Sequence, residues 1–187
     1  MSCEFLIFSS GMTQLKTQNS KRKTAPPHGV VLLGSGASSQ MGRPKLLLPW
    51  GATTIVGHRT ENPQPERGMF TSILCAAHSD GWRKEISTWV VVLGHQLHLR
   101  AETLRLLLKQ GAQHPAAICQ PEFQGRARHP VLLPRLALDE LKQSQAQTLN
   151  EFLKQTSCQL DKCSIEDSGL SFDLDRPEYF EKAIKSH

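Results

Sequence analysis

Between Gly34 and Lys45 the chain sets three glycines, Gly34, Gly36 and Gly42, among the hydroxyls of Ser35, Ser38 and Ser39, and closes on Arg43 and Lys45. Glycine lets a backbone turn sharply and approach a ligand with no side chain in the way. Amides that converge in such a loop cradle phosphate oxygens, and a lysine just beyond them reaches a phosphate the amides already hold. The chemistry is that of a phosphate loop with a basic anchor. Its spacing is neither that of a Walker loop nor that of the dinucleotide fingerprint, which opens directly into a helix.

The elements that must position this loop follow from apolar runs. Val30–Leu33 reads as a short buried strand entering the loop, and Trp89–Leu93 as a second. Ile55–His58 starts like a helix and stops at once, before Asn62-Pro63. Gly68 can make a tight turn, and Thr71 or Ser72 can cap a helix carrying Ile73, Leu74 and Ala77 on one face. A helix from about 101 to 110 is expected to close at Gly111, followed by a strand over Ala116–Cys119. Helices are expected at Pro134–Lys142 and Thr148–Lys154. A last strand at Leu170–Asp175 leads to a closing helix with Pro177 in its first turn.

Composition narrows the class. A chain of 187 residues fits one domain with a real core. No apolar run nears the roughly 20 residues that span a bilayer. Of the net charge of +5, three units sit in residues 1–28, on Lys16, Lys21, Arg22 and Lys23 against Glu4. The body carries too little charge, and no basic stripe with aromatics, to expect nucleic acid. Five scattered cysteines without Cys-x-x-Cys fit a reducing cytosol, so the expected location is cytoplasmic. Cys158 and Cys163 read as two ordinary thiols in or beside a loop. Residues 1–28 read as a disordered leader or upstream sequence, with Met12 an alternative start, and residues 29–187 as the domain.

Leu33–Gly36, Ser38, Met41, Gly42, Pro44, Lys45 and Leu47–Trp50 together resemble the signature of MobA-like NTP transferases, most closely the molybdenum cofactor cytidylyltransferase branch. Further segments extend the likeness: Arg67–Ile73, Pro121–Val131 and Leu170–Glu178. The resemblance implies a three-layer α/β/α Rossmann-like fold around a mostly parallel sheet. It also implies an early helix–strand unit that the short stretch after Trp50 leaves no room for. It implies nucleotide contacts from Leu33, Gly34, Ser35, Gly36, Ser38, Gln40, Gly42, Lys45, Gly68 and Ser72, with Lys45 and His95 at the catalytic positions. Arg126 and His129 would face a small phosphorylated acceptor such as a molybdopterin. The metal would be magnesium, held at the position of His95, with Asp173 or Asp175 as alternative oxygen donors.

Three positions depart from the pattern. Gln40 stands for an arginine that would contact phosphate in two places. Arg128 stands for a glycine. His95 stands for the magnesium-binding aspartate, and a neutral imidazole suits that hard ion poorly. His95 and His98 have the spacing of a transition-metal pair but lack a third ligand. Two readings therefore stay open. One is a nucleotidyltransferase that moves a nucleoside monophosphate, such as CMP, from its triphosphate to the acceptor with release of pyrophosphate. The other is a catalytically weak or inactive nucleotide- or cofactor-binding protein in molybdoenzyme maturation, partnered by a molybdoenzyme or a maturation factor.

Overall fold

The computed structural model describes residues 3–9, 28–33, 58–64, 67–94, 96 and 99–171. In chain order these form β1 (Cys3–Ser9), β2 (His28–Leu33), β3 (His58–Asn62), α1 (Met69–His78), β4 (Thr88–Leu93) and α2 (Ala101–Gln113). There follow β5 (Ile118–Phe123), β6 (Arg126–Ala127), β7 (Val131–Pro134), α3 (Arg135–Gln143), α4 (Leu149–Gln155) and β8 (Leu160–Ser164). A 3-10 turn at Ser168–Ser171 ends the described chain.

The strands form one sheet in the order β3-β1-β2-β4-β7-β5-β6, with β8 also paired to β5. β2 pairs parallel with β4, and β5 parallel with β8. β1 runs against both β2 and β3, and β7 runs against both β4 and β5. Thus β2, β3, β4, β5 and β8 share one direction, as the α/β expectation required. The antiparallel β1 and β7, set between them, make the sheet mixed.

Alternation along the strands sends side chains to opposite faces. Val31, Leu33, Trp89, Val91, Ile118, Val131 and Leu133 are buried in one cluster with α1, α3 and α4. Val90, Cys119 and Leu132 face the other way, onto Leu107 of α2. Helices on both faces of a sheet give three layers. At the foot of β4, Trp82 meets Trp89 edge-on with centroids 5.8 Å apart, and the Arg135 guanidinium lies 4.6 Å from the Trp89 ring. A Cβ on Gly29 would stand 2.5 Å from Trp89 Cδ1, so the close approach of these rings requires glycine there.

Several expectations are corrected. Residues 3–9, placed in a disordered leader, are β1, hydrogen-bonded on both sides. His58 begins β3 rather than ending a helical turn, and β3 stops at Asn62 because Pro63 cannot donate to a ladder. Gly111 does not close α2. The helix runs to Gln113, and Leu132 packs so near that a Cβ on Gly111 would lie 2.0 Å from Leu132 Cδ2. The strand expected over Ala116–Cys119 begins at Ile118 and continues to Phe123. Leu170 and Ser171 lie in the 3-10 turn rather than a strand. No helix among the described residues is long and apolar enough to cross a membrane.

Candidate functional site

The shared direction of β2, β3, β4, β5 and β8 puts their carboxyl ends on one edge of the sheet. In open α/β sheets this is the edge where ligands bind. At its centre, Leu33 and Leu93 are register partners, and the Gly94 amide donates to the Leu33 carbonyl at 2.8 Å. The segments that follow β2 and β4 therefore leave the sheet from adjacent points.

To one side lies the head of α1. Gly68 caps it with φ of 93°, in the region that favours glycine. Neither Thr71 nor Ser72 caps the helix, contrary to expectation. Both accept instead from Asn62: its buried amide nitrogen donates to Thr71 Oγ1 at 2.7 Å and to Ser72 Oγ at 3.0 Å. The Asn62 carbonyl oxygen accepts from the Gln64 amide at 2.8 Å. Asn62 thus ties the end of β3 to the helix through its nitrogen and to the turn at Gln64 through its oxygen, and α1 packs across β1, β2 and β3.

To the other side lies the head of α2. Asp167 is buried, with its side chain 2 % exposed. One oxygen accepts from Thr103 Oγ1 and from the Arg100 amide at 3.2 Å; the other accepts from the Gly169 amide at 2.9 Å and meets Arg100 Nε at 3.1 Å. Burial pushes its pKa up, but the Thr103 hydroxyl, the two amides and the Arg100 charge outweigh that and hold it below the ordinary value. This carboxylate fastens the 94–100 loop to the turn after β8.

The acceptor-side expectations fall farther out. Gln124 and Gly125, with φ of 51° and 71°, make the two-residue turn between β5 and β6. His129 precedes β7, next to the end of β4, and its carbonyl accepts from Gln96 Nε2 at 3.3 Å. Arg126 is exposed on β6, four strand positions from β2, or about 19 Å at the usual strand spacing. Gln96 Oε1 and Arg128 Nε are buried there without hydrogen-bond partners among the described residues. The edge therefore gathers Leu33, Gly68, Ser72 and His129, while Arg126 stands at its margin. Gly34, Ser35, Gly36, Ser38, Gln40, Gly42, Lys45, His95, Asp173 and Asp175 lie outside the described residues.

No group of three His, Cys, Asp or Glu side chains suited to a metal occurs among the described residues. Asp167, the buried carboxylate on this edge, is committed to its four donors. The described residues thus do not by themselves fit magnesium. The thiols of Cys75, Cys119, Cys158 and Cys163 are shifted away from the thiolate. Burial, with the nearby Cys163 and Asp161, pushes Cys119 up to about 12, and burial raises Cys75, Cys158 and Cys163 as well.

Asn62 stood in an Asn-Pro step, near which the resembled family ends a strand, and Asp167 is one polar residue in a polar stretch with no motif signal.

Comparison with known proteins agrees with this architecture. The MobA-like NTP transferase domain model matches residues 57–160. Among solved structures, the chain is similar to a homologue of Mycobacterium tuberculosis Rv0371c from Mycobacterium sp. strain JC1. That likeness has 18% identity and a TM-score of 0.58, over 84% of this chain and 94% of that one. Rv0371c from M. tuberculosis H37Rv gives 17% identity and a TM-score of 0.58, over 84% and 97%. At these identities the likeness is one of fold. None of the curated proteins matches the chain. With more than half of its length matched, and with the strand-end site that the match covers in part, the chain belongs to the MobA-like NTP transferase family.

Proposed function

We propose that the protein is a cytosolic nucleotidyltransferase that moves a nucleoside monophosphate, CMP in our reading, from its triphosphate to a phosphorylated acceptor of the molybdopterin type. An acceptor phosphate oxygen attacks the α-phosphorus. The bond from that phosphorus to the bridging oxygen breaks, and pyrophosphate leaves with the electron pair. The protein's part is positioning and charge neutralisation.

The observation that carries this reading is the junction of Leu33 and Gly94, where the carboxyl ends of β2 and β4 are joined by a hydrogen bond on the edge that favours ligands. In this reading Lys45 and the loop amides hold the triphosphate, the head of α1 lies beside the nucleoside, and His129 with Arg126 meets the acceptor. A divalent cation, magnesium, belongs to the proposal, with His95 and Asp173 as candidate ligands. Rv0371c of M. tuberculosis has been crystallised in complex with manganese. The free thiols of Cys75, Cys119, Cys158 and Cys163 are in keeping with a reducing compartment.

A second reading, a nucleotide-binding protein without turnover that serves molybdoenzyme maturation, is favoured by Gln40 and His95. Calorimetry with CTP and GTP, with and without magnesium, separates the two on the unmodified chain and on His95→Asp, alongside an assay of pyrophosphate release. The transferase reading expects magnesium to tighten CTP binding to the unmodified chain, and pyrophosphate to appear with acceptor. Binding indifferent to magnesium except in His95→Asp, with no turnover, supports the second reading. Inactivity and lack of binding with every nucleotide and metal would sink both.

A further inference from the structure

Between β2 and β3 the sheet has one strand position, and β1 fills it, pairing Phe5 with Leu33 on one side and with Thr60 on the other. β2 and β3 run the same way, so an intervening parallel strand would need a crossover before it and another after it. Each takes about a dozen residues, and with a strand of about five between them the total is about 29. Only 24 residues, 34–57, lie between Leu33 and His58. The connection is too short to supply that strand. An antiparallel strand from upstream of β2 needs no crossover, and residues 10–27 give it ample length to reach the position.

We propose that residues 3–9 are a complementing strand, seated in a slot between β2 and β3, and that the α1 side of the site is assembled only when the slot is filled. Among the described residues β3 pairs with β1 alone. Two strand spacings, about 10 Å, separate β2 from β3, too far for direct hydrogen bonds. An empty slot leaves β3 unpaired or lets it slip by one spacing onto β2. Either event displaces Asn62, and with it Thr71 and Ser72 at the head of α1. The packing of α1 across β1, β2 and β3 is lost with it. The ligand this slot accepts is an extended, mostly apolar segment, and its occupant is the chain's own Cys3–Ser9.

The test compares the full chain with one shortened to begin at Met12, by hydrogen exchange and thermal unfolding, with a synthetic peptide of residues 1–11 added in excess. The proposal expects amides at 58–62 and 69–73 to exchange faster in the shortened chain by on the order of tenfold or more. The peptide restores their protection. A shortened chain that folds only with the peptide gives the same answer. If it neither folds nor responds, Leu6→Pro in the full chain decides, because it removes one ladder donor from the middle of β1. Rapid exchange at 58–62 in that variant, with β4 to β8 still protected, supports the slot. Unchanged protection at 58–62 in the shortened chain or in Leu6→Pro overturns it. So does a dimer of the full chain that disappears on removing residues 3–9, which would mean that the strand comes from a second copy.

Discussion

The heads of α1 and α2 face the same edge of the sheet and are fastened by different chemistry. At α1 the anchor is a neutral amide, Asn62, which donates to two hydroxyls and does not titrate. At α2 it is a carboxylate, Asp167, which gathers a hydroxyl, two amides and a guanidinium. Among the described residues, the α1 anchor sits on a strand held by β1 alone. The α2 anchor sits just beyond β8, which is laid on the long β5. One half of the site depends on a distant segment being in place, the other on a charge being present.

Function divides them most sharply. If the nucleotide occupies the α1 side, Lys45→Ala lowers kcat/KM about 100-fold, or about 2.7 kcal/mol. Arg126→Ala then raises KM for the acceptor and leaves nucleotide affinity alone. Steady-state kinetics with both substrates varied reads this, and equal effects on both substrates would erase the distinction.

Removing the charge from the α2 anchor comes next. Asp167→Asn is expected to destabilise the fold by about 2–3 kcal/mol, the scale of hydrogen bonds to a charged group. Its depressed pKa fixes the sign of the acid response. The stabilisation is fully present above the ordinary carboxylate pKa of about 3.9, and is lost as pH falls through the lower folded value. Thermal melts across that window should show a shallower acid limb in Asp167→Asn. Some slope remains from Glu140, which hydrogen bonds from Ser157 and Thr156 hold below its ordinary value.

Asn62→Ala strands the buried Ser72 hydroxyl, at a cost of about 1–2 kcal/mol. That loss should not change as pH falls below the ordinary carboxylate pKa of about 3.9, whereas the Asp167→Asn loss should shrink there. A parallel pH trend in both variants would dissolve the comparison. The smallest effect is expected away from the edge. Thr148 accepts from the Glu151 amide at 3.1 Å, and Thr148→Ala should cost about 1 kcal/mol at every pH, as a plain helix cap does.

What the sequence showed of this depended on period and composition. Val30–Leu33 and Trp89–Leu93 are apolar runs, and Thr148 with Glu151 has cap spacing, so β2, β4 and α4 were legible. β8 was not, because its residues alternate between exposed and half-buried with little apolar content. β1 was apolar but stood alone before a long polar stretch, and its partners are non-local. Gly111 carries the usual mark of a helix end, and only the approach of Leu132 shows why it lies inside one. The order of the site segments along the chain could be read, since motif and strand end coincide at Leu33. The anchors Asn62 and Asp167 could not, because a lone buried polar residue has no period and is identified by what it touches.

The pairing of Cys3 with Asn62 also sets a timetable. During synthesis β1 is made first, yet its second neighbour follows only once residue 62 has been added. At about 5–20 residues per second this interval is on the order of 3–10 s. For that time an apolar strand has at most one edge satisfied, the condition under which strands pair with the wrong chain. The segment that completes the sheet is thus also one whose exposure a growing chain must survive.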